Sequence, residues 1–239
     1  MGIRNAAVMA RRQPTSWLRI LAAGALLSLA AMAQAQTPDQ ANSRGLAWLQ
    51  TEVQPDGSLA HETSSVATPI QARAEALTAL AQLATAPPTL VSQVSAGDAT
   101  NIDYAARRVT ALRAAGQDTA AAMVTLAAAQ NTDGGWGLAP GYASDALDTA
   151  LALTALQGSP SLQAGKIATA ADFLVQNANA DGGWGPADAS SHYVTASVLV
   201  AAQGFGSAGG MGDVSDGALA WLVAAQTAGS YTDVQRNAL

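Results

Sequence analysis

Histidine side chains can bind metals or transfer protons near neutral pH, and this chain has two, His61 and His192. His192 stands beside Tyr193 and four residues after Asp188, at the entry to a predicted helix. A histidine there could bind a ligand, but a solvated or capping side chain is the more common role, and we interpret His61 beside Glu62 in the same way. Two histidines at unknown separation do not define a metal site, so we expect neither a bound metal nor a cofactor.

Several other kinds of chemistry are excluded by residues that the sequence lacks. Cysteine is absent, which removes thiolate metal ligands, catalytic thiols and disulfides. No Gly-x-Ser-x-Gly segment supports a serine nucleophile. The turns at Asp133-Gly134 and Asp181-Gly182 have too few spaced oxygens for a calcium loop, so we interpret them as turns only.

Two loops have nearly the same sequence, QNTDGGWG at residues 130–137 and DGGWG at 181–185. Each follows an alanine- and leucine-rich stretch that predicts a helix, and each precedes another. Glycine permits the positive φ that often follows a helix end. The tryptophans, Trp136 and Trp184, could stack on a ligand, but their place in the loop favours a structural brace over the helix junction. Tyr142 follows the first loop and is a candidate for a contact at its rim.

The loops belong to a longer repeat, with weaker copies at residues 44–59 and 217–231. The first glycines of the turns, Gly57, Gly134, Gly182 and Gly229, are separated by 77, 48 and 47 residues. The long first gap predicts one eroded repeat, whose turn would lie in 87–99, where two prolines break the helix. We predict no sheet. The predicted helices that end in the turns are 42–53, 118–130, 163–178 and 214–227, and the helices of the second class are 66–84, 102–115, 144–157 and 191–203.

The repeated pattern of a small residue, an aromatic–aliphatic pair, Gln and Gly-x-Trp resembles the QW motif of the squalene–hopene cyclase and prenyltransferase superfamily. Residues 221–231 fit its spacing with Tyr231 in place of the tryptophan, and the resemblance covers most of residues 42–239. It implies an all-α fold, an α/α toroid built from helical-hairpin repeats. The structural residues of the motif are Trp48, Gln130, Gly134, Trp136, Gln176, Gly182, Trp184, Trp221, Gln226, Gly229 and Tyr231.

The resemblance also implies an inner ring of helices inside an outer ring. A closed ring of this type takes about six hairpins, and the sequence provides four, counting the eroded one, followed by a fifth outer helix. Residues 233–239 resemble the start of another inner helix. We therefore expect an incomplete ring or an open arc. Of its two explanations, a truncated gene product is favoured over an arc whose last apolar face binds a partner.

The chemistry of this superfamily depends on residues that the chain does not have. Squalene–hopene cyclases protonate an alkene with an Asp-x-Asp-Asp motif, and the nearest approach here is Asp145-Ala-Leu-Asp148. Those carboxylates lie where a turn enters a helix, so N-capping explains them. The zinc set of protein prenyltransferases and the thioester of complement-type domains both need cysteine. We therefore predict no catalytic residue and favour a protein that is not an enzyme.

Charged residues fall unexpectedly within the predicted inner helices. Alignment on the shared Leu-Thr-Ala-Leu segment places Arg73 and Glu75 in the middle of one inner helix, with Arg107 and Arg108 at a similar level in the next. Charges inside a ring would be paired or functional. The alternative, which we favour, is that erosion of this repeat turned the region toward solvent.

Residues 1–35 have the features of a secretory signal: a basic start, an apolar run over 20–33 and a cleavage site at Ala33-Gln34-Ala35. Twin-arginine export through Arg11-Arg12 and a retained anchor are the alternatives. A flexible lead-in at 36–43 and a repeat domain at 44–239 would follow. Without the four signal arginines, 7 basic residues face 17 acidic ones, which argues against nucleic acid or an anionic membrane as a partner.

The sequence thus favours an exported, periplasmic or extracellular, non-catalytic binding or scaffolding module. Its partner would be a small hydrophobic ligand or a protein, bound at the rim where turns enter inner helices. One alternative is a fragment of a terpenoid cyclase or prenyltransferase-like enzyme with its catalytic residues beyond Leu239. Another is a protein-interaction domain of a larger surface protein. The candidate ligand-binding residues are Tyr142, Asp145, Asp148, His192 and Tyr193.

Overall fold

The computed structural model describes residues 37–65, 67–186 and 189–226. The chain divides into two units, Met1–Ala47 and Trp48–Leu239. The predicted signal, Asp188, Gly229, Tyr231 and the segment 233–239 lie outside the described residues. Among the helices of the described ranges, none has both the length and the apolar character needed to cross a membrane.

The first helix, α1, runs from Pro38 to Glu52. Two reciprocal bonds fix its start. The backbone N–H of Gln40 donates to the Thr37 hydroxyl, and the backbone N–H of Thr37 donates to the Gln40 side-chain oxygen. Proline at the first helical position has no N–H to leave unpaired. Residues 38–43, which we expected to form a flexible lead-in, are therefore helical.

The helices from residue 69 onward form two layers. The inner helices pack one after another, α2 on α4, α4 on α6 and α6 on α8, and the outer helices α3, α5, α7 and α9 pack against them. This is the layered hairpin arrangement that the repeats predict. The bounds are α2 (Pro69–Leu83), α3 (Pro88–Ala96), α4 (Ile102–Ala114), α5 (Ala120–Ala128), α6 (Ala146–Leu156), α7 (Ala164–Gln176), α8 (His192–Gln203) and α9 (Met211–Ala225).

The region of the eroded repeat differs from the prediction. We placed the turn of the eroded repeat in 87–99, but most of this segment forms the outer helix α3. The preceding helix ends at Leu83, and Pro88 occupies the first position of α3, where its missing N–H has no cost. Leu90 and Val94 are fully buried beneath it. The second hairpin therefore keeps its outer helix and has lost the motif sequence.

A small sheet is also present, although we predicted none. Residues Trp136–Gly137 pair antiparallel with Ser144–Asp145 at the entry to α6. Strands of two residues are too short to give the alternating pattern by which a strand is recognised in a sequence. The pairing fixes the loop that contains Tyr142 beside the start of α6.

Candidate functional site

The inner helices α4, α6 and α8 begin with side-chain caps. Asn101 Oδ1 accepts the Tyr104 N–H at 2.7 Å, Asp145 Oδ1 accepts the Asp148 N–H at 2.9 Å, and the Ser191 hydroxyl caps α8 in the same way. The N-capping interpretation of Asp145 is thereby confirmed. We call the N-terminal ends of the four inner helices, with the side chains around them, the inner rim.

Arg107 is the centre of the inner rim. Its Nε donates to Asp103 on the same helix, its Nη1 to Glu75 on α2, and its Nη2 to the Tyr193 hydroxyl on α8 at 2.6 Å. The Arg107 side chain is only 9% exposed. Burial alone would disfavour its charge, but the contacts with Tyr193 and Asp103 outweigh burial and raise the pKa of Arg107. One guanidinium thus joins three inner helices.

This pairing corrects our expectation that the eroded repeat faces solvent. Arg107 is buried and paired, and Arg73 forms an ion pair with Glu62 and donates to the Gln93 side chain at 3.0 Å. Arg108 donates to the Gly97 carbonyl at 3.1 Å. Glu75 alone of the four charged residues keeps an exposed side chain. Each of these charged side chains has a partner on a neighbouring element.

Asp148 is the buried carboxyl of the inner rim. Burial, followed by the charge and the hydrogen bond of Asp145, raises the pKa of Asp148 to about 7. The Asp103 charge acts in the same direction, and the Arg107 charge opposes it. A large fraction of Asp148 is therefore protonated at neutral pH.

Three of the five predicted ligand residues lie at the inner rim: Tyr193 bonds Arg107, and Asp148 interacts with Asp145 and with the Arg107 charge. Tyr142 is exposed in the loop between the two short strands. His192 faces elsewhere, because its ring lies 5.1 Å from the Trp221 ring at an angle of 52°. Whether any of these residues binds a ligand stays a prediction.

Sequence reasoning missed Asp103 and Gln71, which complete the cluster. Gln71 donates to Asp103 Oδ2 at 2.9 Å, and Glu75 accepts from Arg107. Both contacts join residues 32 positions apart. The constant spacing shows that α2 and α4 are in register, and this register, read from the sequence, was the signal that could have predicted both pairs.

Both the sequence and the fold of this chain are similar to those of known proteins. Over 75 residues, 30% of this chain, the sequence is 45% identical to drimenyl diphosphate synthase from Streptantibioticus cattleyicolor, and the match covers 13% of that protein. The fold matches ent-copalyl diphosphate synthase from Streptomyces platensis with a TM-score of 0.57 and 21% identity, over 78% of this chain and 40% of that one. The chain is homologous to class II terpene cyclases. No protein-family model matches it.

The homology confirms the predicted superfamily and the all-α toroid-type fold. The chain spans less than half the length of either cyclase to which it is similar. In the segment Asp145–Asp148, the nearest approach to the Asp-x-Asp-Asp motif, Leu147 stands where the motif has its second aspartate, and Leu147 is half-buried. Asp145 and Asp148 keep the outer two positions.

The cyclase-type repeat also explains the tryptophans. The Trp136 indole N–H donates to the Leu126 carbonyl at 2.9 Å, and the Trp184 indole N–H donates to the Leu174 carbonyl at 2.8 Å. Both rings are almost completely buried, so neither is available to stack on a ligand. Trp48, by contrast, is 61% exposed.

The cations of residues 48–226 all donate to groups of the protein. Besides the arginines described above, Arg113 donates to the carbonyls of residues 154, 155 and 157, and Lys166 donates to the Ala127 carbonyl at 2.7 Å. These bonds close the C-terminal ends of α6 and α5, where carbonyls lack helical partners. Nor do the described ranges contain a group of three metal-ligating side chains.

Two shallow clefts lie away from the inner rim. A cleft of about 440 Å³ is bordered by Arg113, Met123 and Gln157, and one of about 260 Å³ by Arg108 and Leu112. Both include Asp118 at the start of α5. They lie at the C-terminal ends of the inner helices, whereas Asp148 and Tyr193 lie at the N-terminal ends.

Proposed function

We propose that this chain is a non-catalytic binding module of the class II terpene cyclase type, which holds a hydrophobic isoprenoid ligand at the inner rim. The observation that carries the proposal is the pair of half-buried leucines on α6, Leu147 and Leu151, together with two polar groups of the inner rim, Asp148 on the same helix and Tyr193 on α8. Apolar surface with a few placed polar groups is the usual make-up of a small-molecule site. The similar synthase is named for an isoprenoid diphosphate.

The charge of the rim favours the hydrocarbon part of such a ligand over its diphosphate. Arg107 is shared between two carboxylates, and Asp145 adds further negative charge. A diphosphate would have to displace an existing ion pair, and it would meet carboxylates at close range. Farnesol, a C15 isoprenoid without a diphosphate, is therefore the first probe.

Titration calorimetry with farnesol and with farnesyl diphosphate tests the proposal. We expect farnesol to bind, and the diphosphate to add no affinity. Leu151→Asp should weaken binding at least tenfold, because a carboxylate in the apolar surface must be desolvated. Leu219→Asp is the matched control, since Leu219 is 48% exposed on α9. Equal effects of the two substitutions, or no binding by the native chain, would reject this function.

Catalysis is the second candidate, and Asp148 is the observation that favours it. A buried carboxyl with a pKa of about 7 is protonated often enough to serve as a general acid. Incubation with farnesyl diphosphate followed by mass spectrometry of the products decides between the two. A cyclised product that disappears in Asp148→Asn would make this chain an enzyme, whereas the binding module predicts that Asp148→Asn still binds farnesol and that neither form yields product.

Export is a separate part of the proposal, supported by the signal-like sequence of residues 1–35. Expression of the full chain in a bacterial host should give a mature protein that begins at Gln36. Intact-mass measurement of the periplasmic or secreted fraction is the test. A protein that keeps residues 1–35 and stays in the cytoplasm would contradict export without affecting the ligand proposal.

A further inference from the structure

The bond between Arg107 and Tyr193 crosses an entire helix. Arg107 lies on α4 and Tyr193 on α8, and both of these helices pack on α6, which lies between them. The side chains that meet at 2.6 Å therefore span the face of α6. We call the Glu75–Arg107–Tyr193 chain of contacts the strap.

The repeat register identifies the face of α6 that the strap crosses. Thr149 and Thr195 make the same bonds to the backbone of their tryptophans, which places α6 and α8 in register and matches Leu147 with Tyr193. The shared Thr-Ala-Leu segment of α4 and α6 matches Arg107 with Leu151. The strap thus runs from the level of Leu151 to the level of Leu147, over two leucines that are only half-buried.

The two ends of the strap are held unequally. The guanidinium of Arg107 is fixed by Asp103 and Glu75, which are charged partners, whereas Tyr193 is a neutral partner held through its hydroxyl. The bonds to Asp103 and Glu75 join opposite charges, whereas only one member of the bond to Tyr193 is charged, so the coulombic attraction is weaker at the Tyr193 end. The Tyr193 side chain is also 45% exposed, so it has room to move. If the strap opens, it opens at Tyr193.

We propose that Tyr193 is the movable end of the strap and determines which ligands reach the Leu147–Leu151 surface of α6. A flexible apolar chain can enter along α8 when the phenol swings away, while Arg107 stays paired with its carboxylates. The class of ligand, an isoprenoid chain, rests on the proposed function. The opening itself does not, because it follows from the contacts of the strap.

The absence of cysteine from the chain makes the opening measurable. Leu151→Cys introduces a single thiol beneath the strap, and its rate of alkylation by iodoacetamide reports access to that surface. Adding Tyr193→Phe removes the hydroxyl bond but keeps the ring, and we expect alkylation to accelerate about tenfold, the scale of a lost hydrogen bond to a charged group. Val200→Ala, at an exposed residue of α8 that makes no bond to Arg107, should leave the rate unchanged.

A second variant tests the unequal ends. Glu75→Gln weakens the opposite end, where Asp103 still holds Arg107, so the rate should rise less than twofold. Thermal unfolding of each variant shows that the labelled protein is folded. Equal alkylation rates in the native and Tyr193→Phe backgrounds, or a larger effect of Glu75→Gln, would overturn the strap.

Added farnesol separates this inference from the proposed function. Protection of the introduced thiol by farnesol, stronger in Tyr193→Phe than in the native background, is the result that supports both. If Tyr193→Phe accelerates alkylation but farnesol does not protect, the strap stands and the isoprenoid proposal fails. If farnesol protects equally in both backgrounds and the alkylation rates are equal, the ligand site stands and Tyr193 does not control it.

Discussion

The two tryptophan turns of this chain, residues 130–137 and 178–185, make the same contacts within their own repeats and different contacts with neighbouring helices. In each, an aspartate accepts the N–H two residues on, Asp133 from Gly135 at 3.0 Å and Asp181 from Gly183 at 3.1 Å. In each, a threonine of the following inner helix bonds the tryptophan backbone. These contacts close one repeat on itself.

A glutamine bond to the next outer helix belongs to the first turn only. Gln130 donates to the Gly134 carbonyl at 2.8 Å and to the Lys166 carbonyl of α7 at 2.9 Å. Ala178 takes the corresponding place in the second turn, and Gln176 is exposed. A repeat can therefore keep its internal brace after losing its bond to the next outer helix. The internal brace of a turn and its bond to the next outer helix are therefore separable. Each can be tested by a pair of matched substitutions.

The largest difference should come from the glycines. A Cβ on Gly134 would lie 2.1 Å from the Thr169 carbonyl oxygen, whereas a Cβ on Gly182 would meet nothing within 4 Å. Both residues have positive φ, 91° and 88°, so alanine is strained at either position. We expect Gly134→Ala to lower the free energy of unfolding by about 3–4 kcal/mol and Gly182→Ala by about 1 kcal/mol. Urea denaturation measures both, and similar losses would show that α7 does not support the first turn.

These two glycines also show which features of the turns the sequence could predict and which it could not. The turn, its positive φ and the helices on either side follow from local residue types, and the structure contains them. The support of Gly134 by Thr169 involves a residue 35 positions away, on an element whose distance from the turn no local pattern encodes. Residue types alone made Gly134 and Gly182 look equivalent.

The inner rim was predictable only in part, for the same reason. The caps follow from Asn, Asp and Ser at helix starts, so Asp145 and Asp148 were found. The partner of Arg107 was not, because Tyr193 lies two inner helices away and 86 residues along the chain. Only the register of successive inner helices connects them, and the erosion of the second repeat concealed that register.

The next test concerns the feature that the two turns share. The hydroxyls of Thr149 and Thr195 are fully buried. Thr149 accepts the backbone N–H of Trp136 and donates to its carbonyl, and Thr195 does the same with Trp184. Valine has the same shape without the hydroxyl, so the backbone groups lose their partner. Thr149→Val and Thr195→Val should each cost about 2 kcal/mol of unfolding free energy. Calorimetric unfolding that gives clearly unequal losses would mean that the internal brace also differs between the repeats.

The third test uses pH, because the inner helices that follow the two turns start differently. Asp145 and Asp148 begin α6, whereas Ser191 and Val194 take the equivalent positions in α8. Burial, followed by Asp145, raises the pKa of Asp148 from 3.8 to about 7, so the folded chain holds this proton more tightly than the unfolded chain. The contribution of Asp148 is therefore favourable at low pH and is lost as the pH rises from about 4 to 7.

Asp148→Asn removes this dependence. One pKa unit corresponds to about 1.4 kcal/mol, and screening by solvent and by Arg107 reduces the total. Relative to the native chain, we expect the variant to gain about 1–2 kcal/mol between pH 4 and pH 8. Unfolding free energies measured across that range provide the test. Val194→Leu, in the corresponding position of α8, is the control whose difference from the native chain should not vary with pH. A constant difference for Asp148→Asn would contradict the raised pKa.

The smallest expected effect isolates the bond between repeats. Gln130→Ala removes donors from the Gly134 and Lys166 carbonyls, but Gln130 is only half-buried, so water can replace part of what is lost. The cost should be about 1 kcal/mol, against no measurable change for Gln176→Ala, whose side chain is exposed. Hydrogen exchange distinguishes this loss from general destabilisation. If Gln130 joins the repeats, protection should fall at the first turn of α7 and at the 130–137 turn, and remain unchanged at the Trp184 turn, where Ala178 takes the place of the glutamine.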